Sequence, residues 1–338
     1  SNMLVARRLG RLWLRPQHRF CSSAAQSSES ALSPLTGGGR VSMGLKIRGR
    51  RRFYKHVDIR LAPKQSSFDP DTFEVTLDGR AVKTKGTPLR VPTLPLALGV
   101  ASEWAAQEKK LEPDTMPLMT LASMSHDIMP HSRDDAITSL LRYCETDTVC
   151  VRDPQSKELH KRQKEAWDPL LEWLASEHDV HFTLIHSLWA DPQPDRVFEF
   201  FRQELSALDN WRLQAVTHVT NSCKSVVLAY ALLRGRVTAD EAFHLARVEE
   251  EHQISLWGLV EGGHDVDRAH LRVQLHAAAT FLALLEPDVV VPAEAEAGAR
   301  AAAVSQAVEA AEGGFDAELA GFEAALAEGA GPRRVTRA

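Results

Sequence analysis

Two spacings in this sequence would serve metal chemistry if they stood on facing helices. A di-metal carboxylate site needs two Glu-x-x-His pairs and two further glutamates, all projecting into a helical bundle. Glu249-x-x-His252 supplies one pair. Glu261-x-x-His264 has the same spacing, but Gly262-Gly263 inside it argues against a helix, and the two pairs lie too close to occupy separate ones. His178-x-x-His181 sits beside Asp179 at an expected helix end, and no His-Glu-x-x-His occurs. There is no phosphate-binding loop, no Gly-x-Gly-x-x-Gly after a strand and no Gly-x-Ser-x-Gly; Gly37–Gly39 precedes no strand–helix unit. The fourteen histidines and seven tryptophans form no nucleophile–base–orienter set. Nothing in these patterns is catalytic.

A second group of residues is polar in apolar surroundings: Glu103 beside Trp104, Asp147 after Thr146, Asp168 between Trp167 and Pro169, and Glu250 with Gln253. Each has a structural reading. Asp147 and Asp168 can cap or brace turns, and Glu103 can pair with a nearby lysine. Together they also have the composition of a binding surface, aromatic anchors among a few oriented polar groups. Glu250 is the sharpest case. Thr238–Gly258 reads as one helix, with Thr238 and Glu241 spaced as a capping box and Gly258 as the stop. At 100° per residue Phe243, Ala246, Ile254 and Trp257 share a face expected to be buried, with Glu250 in its middle, Gln253 at its edge and His252 turned to solvent. An unpaired carboxylate there costs several kcal/mol. Glu250 therefore has an internal partner, or the face meets another protein.

The elements that must position these residues change character along the chain. Val57, Ile59 and Leu61, then Phe73, Val75 and Leu77, alternate with polar residues and read as strands. Asp78-Gly79 marks a two-residue hairpin turn, and Lys85-Gly86-Thr87-Pro88 a second turn before Leu89-Arg90-Val91. Pro92 and Pro95 open a helix over Leu96–Lys110. Helical periodicity then predicts Arg133–Cys144, Ser156–Glu177, Pro194–Ala207, Trp211–Leu233, Thr238–Trp257 and Asp267–Leu285. The fold class is α+β: a small β-rich N-terminal domain with one helix (50–120), then a larger all-α domain (121–286). After Pro287 the chain is Ala/Glu/Gly-rich and reads as a low-complexity, disordered tail (287–338), in which Phe315, Leu319, Phe322 and Leu326 keep a helical spacing.

Charge is divided as sharply. Residues 1–52 carry eleven Lys/Arg and one acid, Glu29, whereas the remainder carries 29 bases and 44 acids. An acidic body argues against nucleic acid as partner. No apolar run approaches the roughly 20 residues of a membrane span. Ser1-Asn2 ahead of Met3 has the form of a protease scar. From Met3 to about Ser33, arginines 7, 8, 11, 15 and 19 alternate with leucines and Trp13, and a Ser/Ala-rich run follows. That is the composition of a mitochondrial transit peptide, with a flexible linker completing residues 1–49. Cys21, Cys144, Cys150 and Cys223 form no Cys-x-x-Cys, which suggests free thiols in a reducing compartment, although Cys144 and Cys150 are close enough in sequence to admit a bridge.

An ordered set of short motifs over residues 52–285 resembles one family. It comprises Arg52-Phe53-Tyr54-Lys55, Leu77-Asp78-Gly79-Arg80 with Thr84, Leu89-x-Val91-Pro92, Glu103-Trp104-x-x-Gln107, and Met116-Pro117-Leu118-x-x-Leu121-Ala122 with Asp127. It continues through Tyr143-x-x-Thr146-Asp147 with Arg152, Gln163-x-x-x-Trp167-Asp168-Pro169-Leu170-Leu171-x-Trp173, and Glu250-x-x-Gln253-x-x-x-Trp257-Gly258. The chain resembles the mitochondrial and α-proteobacterial assembly factors that chaperone the α subunit of F₁-ATPase. The resemblance implies no enzymatic activity, no cofactor, no metal and no small-molecule substrate. It implies a matrix protein that binds unassembled F₁ α subunit and covers its β-facing surface until assembly. The glutamate of the family's Glu-x-x-Gln segment maps onto Glu250. Partner-binding residues are accordingly expected at Glu250, Gln253, Trp257, Glu103, Trp104 and Asp168. His252 departs from the aromatic residue that many relatives carry there, and the tail lies outside the family pattern. The competing readings are a helical matrix enzyme with an acidic pocket around Glu250, and an adaptor that stays in the finished complex.

Overall fold

The computed structural model describes residues 47–64, 70–187, 191–260, 262 and 264–286. The expected transit peptide and all but the last residues of its linker, and the whole 287–338 tail, lie outside the described residues. Strand β1 (Val57–Leu61) pairs antiparallel with β2 (Phe73–Leu77), which pairs with β3 (Arg80–Ala81). The β2–β3 turn is Asp78-Gly79, with φ of 48° and 76°. Two successive positive φ values twist the chain as a tight hairpin requires, which is why glycine follows aspartate here. The Asp78 carboxylate also accepts the Lys55 and His56 backbone N–H groups at 3.0 and 2.8 Å, which hold its pKa below the usual range. A second ribbon, β4 (Lys83–Thr84) with β5 (Thr87–Pro88), turns at Lys85-Gly86. Both faces of β2 are covered. Val75 and Leu77 face the core, and Glu74, 1% exposed, is paired with Arg60 and Arg90 at 2.9 and 3.4 Å.

Helix α1 (Leu94–Ala105) packs on β1 and β2 and starts at Thr93, whose hydroxyl accepts from the Leu96 N–H. The next helix, α2 (Pro117–Asp127), is absent from the sequence reading. Proline at its first position suits a helix start, but Met116 makes no side-chain cap. Glu103, one helix away, supplies the missing acceptor: its two oxygens take the Leu118 and Met119 N–H groups at 2.7 Å. The expected boundary after residue 120 falls inside α2.

The helical body continues with α3 (Met129–Glu145), α4 (Lys157–His178), α5 (Asp195–Ala207), α6 (Asn210–Cys223) and α7 (Val226–Leu233). It ends with α8 (Ala239–Leu245), α9 (Val248–Trp257) and α10 (His264–Leu284). The α+β class is as expected. Two helices read as continuous are each broken. Lys224, at φ 57°, separates α6 from α7, and Ser225 caps α7 through the Leu228 N–H. Arg247, at φ −120° and ψ 17°, separates α8 from α9. The capping box at Thr238 and Glu241 is present.

Two cores result. One joins the sheet, α1 and α2 with Ala215 of α6 and Ala277 and Phe281 of α10; the other fills the helical body around Trp167, Phe201 and Tyr230. Helices α6 and α10 serve both. At Gly99 of α1 an added Cβ would stand 2.8 Å from Leu284 Cδ1 and 3.0 Å from Leu118 Cδ1, so α1, α2 and the end of α10 meet too closely for a side chain.

Asp147 is completely buried and makes no ion pair among the described residues. One oxygen accepts the Val149 N–H at 3.0 Å, and the other the Val226 and Val227 N–H groups at 2.8 and 3.1 Å. It thus joins the end of α3 to the start of α7. Leaving these buried donors unpaired costs about 3 kcal/mol. Asp147→Ala should lower the unfolding free energy by about that amount, and Asp147→Asn by less, because its amide oxygen still accepts; urea titration measures both.

Glu103 gives a pH signature. Burial outweighs its two N–H bonds and pushes its pKa from an ordinary 4.5 to about 7. Folding therefore favours the neutral acid. The stability attached to that preference is full below about pH 4.5 and is lost as pH rises through 7. Glu103→Gln should remove this slope, so the variant's stability relative to wild type climbs between pH 5 and 7 and levels off above. A difference constant across that range, by urea midpoints, would contradict the assignment.

Candidate partner-binding surface

The six residues expected to bind a partner fall into two groups. Trp104 is 2% exposed and lies edge-on to Tyr54, whose hydroxyl donates to the Trp104 carbonyl at 2.6 Å. Beside it Glu103 is engaged with the N-terminus of α2. Asp168 accepts from Arg152 Nη2 at 2.6 Å. Arg152 is itself buried, donates to the Val149 and Val151 carbonyls at 2.7 and 2.9 Å, and stacks 5.4 Å from the Trp167 ring centre. Asp168 is a brace for the turn after α3. Of the residues expected to face a partner, these three are engaged within the chain: Glu103 by backbone N–H groups, Trp104 by core packing and Asp168 by Arg152. Neighbouring acids and aromatic rings in sequence do not distinguish an inward from an outward pair.

Glu250, Gln253 and Trp257 are all exposed, Trp257 at 78%. Spaced i, i+3 and i+7 on α9, they form one outward stripe. Several contacts hold the helix at that rotation. Gln163 of α4 donates to Glu249 at 2.8 Å and Glu251 receives both Arg247 at 3.1 Å and Arg268 of α10 at 3.6 Å, while Trp167 Nε1 fixes the preceding end of α8 by donating to the Leu245 carbonyl at 2.9 Å. His252, expected in solvent, is 6% exposed. The buried face predicted through Phe243, Ala246, Ile254 and Trp257 is corrected as well. The break at Arg247 resets the helical phase, so Phe243 stays inside while Trp257 turns out. Glu250 makes no ion pair among the described residues, and an acidic pocket around it is not what the helix presents.

The surface extends beyond those three residues. Of the nine large apolar side chains exposed among the described residues, six lie between Leu256 and Val273: Leu256, Trp257, Leu259, Val260, Val266 and Val273. The sequence signal for them was the run Leu256-Trp257-Gly258-Leu259-Val260, too apolar for a connection that carries no packing duty. Gly258 adopts φ 83° at the end of α9, which lets the run turn away from the helix.

Among the described residues no group of three or more His, Cys, Asp or Glu could hold a metal ion, and no helix is long and apolar enough to cross a membrane. Cys144, Cys150 and Cys223 are free and buried; burial and the Asp147 carboxylate push their thiols up, Cys223 to about 12, so they are poor nucleophiles.

Comparison with known proteins identifies the family. A family model described as ATP12 chaperone protein matches residues 51–175. The mitochondrial atp12 protein of Schizosaccharomyces pombe is 28% identical over 225 residues, 63% of this chain and 77% of that protein. The mitochondrial ATP12 of Saccharomyces cerevisiae is 26% identical over 247 residues, 60% and 76% of the two chains. The crystal structure of Atp12 from Paracoccus denitrificans is 30% identical, with a TM-score of 0.64, across 70% of this chain and 98% of that one. A point mutant of the same protein gives 31% and 0.63 at the same coverage. With a related structure matched across nearly its whole length, this chain belongs to the ATP12 family, whose members are chaperones and not enzymes.

Proposed function

We propose that this chain is a mitochondrial assembly chaperone for ATP synthase, and that its client is the unassembled F₁ α subunit, bound in the matrix at the surface later covered by β. Family membership supports the chaperone role, and the names of the yeast relatives support the mitochondrion. The basic, acid-poor opening of the sequence supports import, with residues 1–49 as transit peptide and linker and the client-binding unit within 50–286. The α subunit itself comes from the motif resemblance. The observation that carries the reading is the stripe on α9. A tryptophan 78% exposed, two turns along the same face from a solvent-facing glutamate, leaves a large apolar ring in water in the isolated protein and suits a binder.

A chaperone of this kind must bind an exposed subunit interface and then yield it to a better-fitting partner. A small patch with one aromatic anchor suits that demand, because affinity concentrates in a few residues and is readily outcompeted. Glu250 and Trp257 are solvent-facing, so replacing them should leave folding intact. Pull-down from matrix extract should recover free α subunit, without β, on the wild-type chain. Glu250→Lys and Trp257→Ala should each deplete it by about tenfold, with melting temperatures within about 2 °C of wild type. Equal recovery by wild type and both folded variants would remove the α9 stripe from the client site. No α on wild type would sink the proposed client.

A further inference from the structure

The start of the sheet unit carries a second exposed aromatic residue, Phe53, which is 65% exposed. The residues on either side of it are tied down. The Arg52 guanidinium donates to the Gln107 and Tyr54 carbonyls at 2.7 and 3.2 Å and stacks 4.7 Å from the Tyr54 ring centre. Tyr54 is buried, with its hydroxyl on the Trp104 carbonyl. Because Arg52 and Tyr54 are held inward, the period of two in an extended chain turns Arg51, Phe53 and Lys55 outward, and all three are exposed.

Arg51 stands directly opposite Lys110. The Arg52 N–H donates to the Lys109 carbonyl at 3.1 Å and the Leu111 N–H to the Arg50 carbonyl at 2.8 Å. These two bonds make Arg51 and Lys110 the non-hydrogen-bonded pair of an antiparallel bridge. Side chains approach closest at such a pair, with Cα atoms about 4.5 Å apart, and like charges placed there are unfavourable. No carboxylate relieves them. Glu108 and Glu112, the acids nearest Lys110 in sequence, make no ion pair among the described residues, and Asp114 is taken by Arg48. Asp78 is occupied by the Lys55 and His56 N–H groups. Arg50 and Lys109 add two more exposed cations beside the pair. An aromatic side chain among uncompensated cations suits an apolar segment that carries carboxylates.

The chain itself contains such a segment. From Glu309 to Glu328 the sequence has six acids and no base, and Phe315, Leu319, Phe322 and Leu326 recur at helical spacing. At 100° per residue that spacing sets the four on one face, with Glu312, Asp316 and Glu323 along its border. The described residues end at Glu286, next to Leu285, which is buried in the core that also holds Tyr54 and Trp104. Residues 287–308 span at most about 70 Å, so the segment is within reach of Phe53. The exposed run Leu256–Val260 is apolar too, but Glu250, Asp265 and Asp267 stand on the helices that flank it and oppose an acidic segment. We propose that Phe315–Leu326 of the same chain docks on Phe53, with its carboxylates on Arg51 and Lys110. The tail is thereby an internal cover for the sheet unit and leaves the α9 stripe open. The inference does not rest on the identity of the client.

The test replaces Phe53 of the full chain by the photocrosslinker p-benzoylphenylalanine and maps the adducts formed on irradiation by mass spectrometry. No Lys or Arg lies between Arg300 and Arg333, so trypsin releases the whole segment as one peptide, 301–333. That peptide should be the main intramolecular adduct of position 53. Its yield should fall about fivefold with Arg51→Glu/Lys110→Glu, and as far with Phe315→Ser/Phe322→Ser, while melting temperatures stay within about 2 °C. Adding Glu312→Lys/Glu323→Lys to the Arg51→Glu/Lys110→Glu chain should restore it. Without any of these substitutions, 0.5 M salt should lower the yield about twofold, because screening weakens the ion pairs. Absence of the 301–333 adduct, or a yield indifferent to both pairs of substitutions, would overturn the inference. So would adducts that join two copies and vanish on tenfold dilution, since the occupant would then be a neighbour's tail.

Discussion

Burying a carboxylate without a cation is among the more expensive things a protein interior can do, and the helical body is assembled around one. Asp147 is tolerated because three backbone N–H groups, one from the turn after α3 and two from the start of α7, converge on its oxygens. Its pKa still rises to about 6, so the bonds compensate only part of the desolvation. What they achieve is position. They fix α7, whose residues Val226 to Leu232 are all buried, against the end of α3. With α7 set, α6 and α8 have defined entry and exit points. The short connection through the Thr238 cap then delivers α9 to the surface of α4. The α9 stripe is separated in sequence from Asp147 by five helices, α4 to α8.

Glu103 repeats the device at the other core. There the carboxylate of one helix caps another, joining α1 to α2 where no local cap exists. Both acids therefore act on helix N-termini, where backbone donors and the helix dipole favour negative charge. The sequence marked them as acids in apolar company, and that much was sound. It could not say whether their partners were N–H groups of the same chain or groups on another protein, because either arrangement satisfies a desolvated carboxylate. Asp168 differs only in having a cation, Arg152, as its partner.

The turns and caps that depend on local residue type were legible. Asp78-Gly79 sits at positive φ as its composition demands, and the Thr238 to Glu241 box closes as its spacing demands. Features that depend on distant residues were not. Helix α2 lacks a cap of its own and was passed over. Lys224 adopts positive φ although lysine gives no hint of it, so α6 and α7 read as one helix. The largest consequence came from Arg247. Phase carried unbroken from Phe243 places Trp257 inside; a single residue out of helical geometry rotates α9, buries His252 and exposes Trp257. The physical reason that singles out Glu250 in the sequence is thus only half right. An unbroken helix would trap the Glu250 carboxylate on a buried face; it stands instead on an open one.

That exposure raises the question of how such a surface stays free of itself. Leu256, Trp257, Leu259, Val260, Val266 and Val273 would invite association between copies of the chain, since exposed apolar patches of this kind drive it. The same stretch carries Glu249, Glu250, Asp265 and Asp267, and a two-fold contact through it would set these carboxylates against their own copies. Like charges brought together in a partly dehydrated interface oppose association, whereas a partner with cations at those positions gains from the same groups. The acids therefore do two things with one arrangement. They oppose the commonest wrong partner, a second copy, and they leave the apolar side chains open to a different protein. A glutamate at position 250 belongs to this set, and its charge is solvent-facing in the isolated chain.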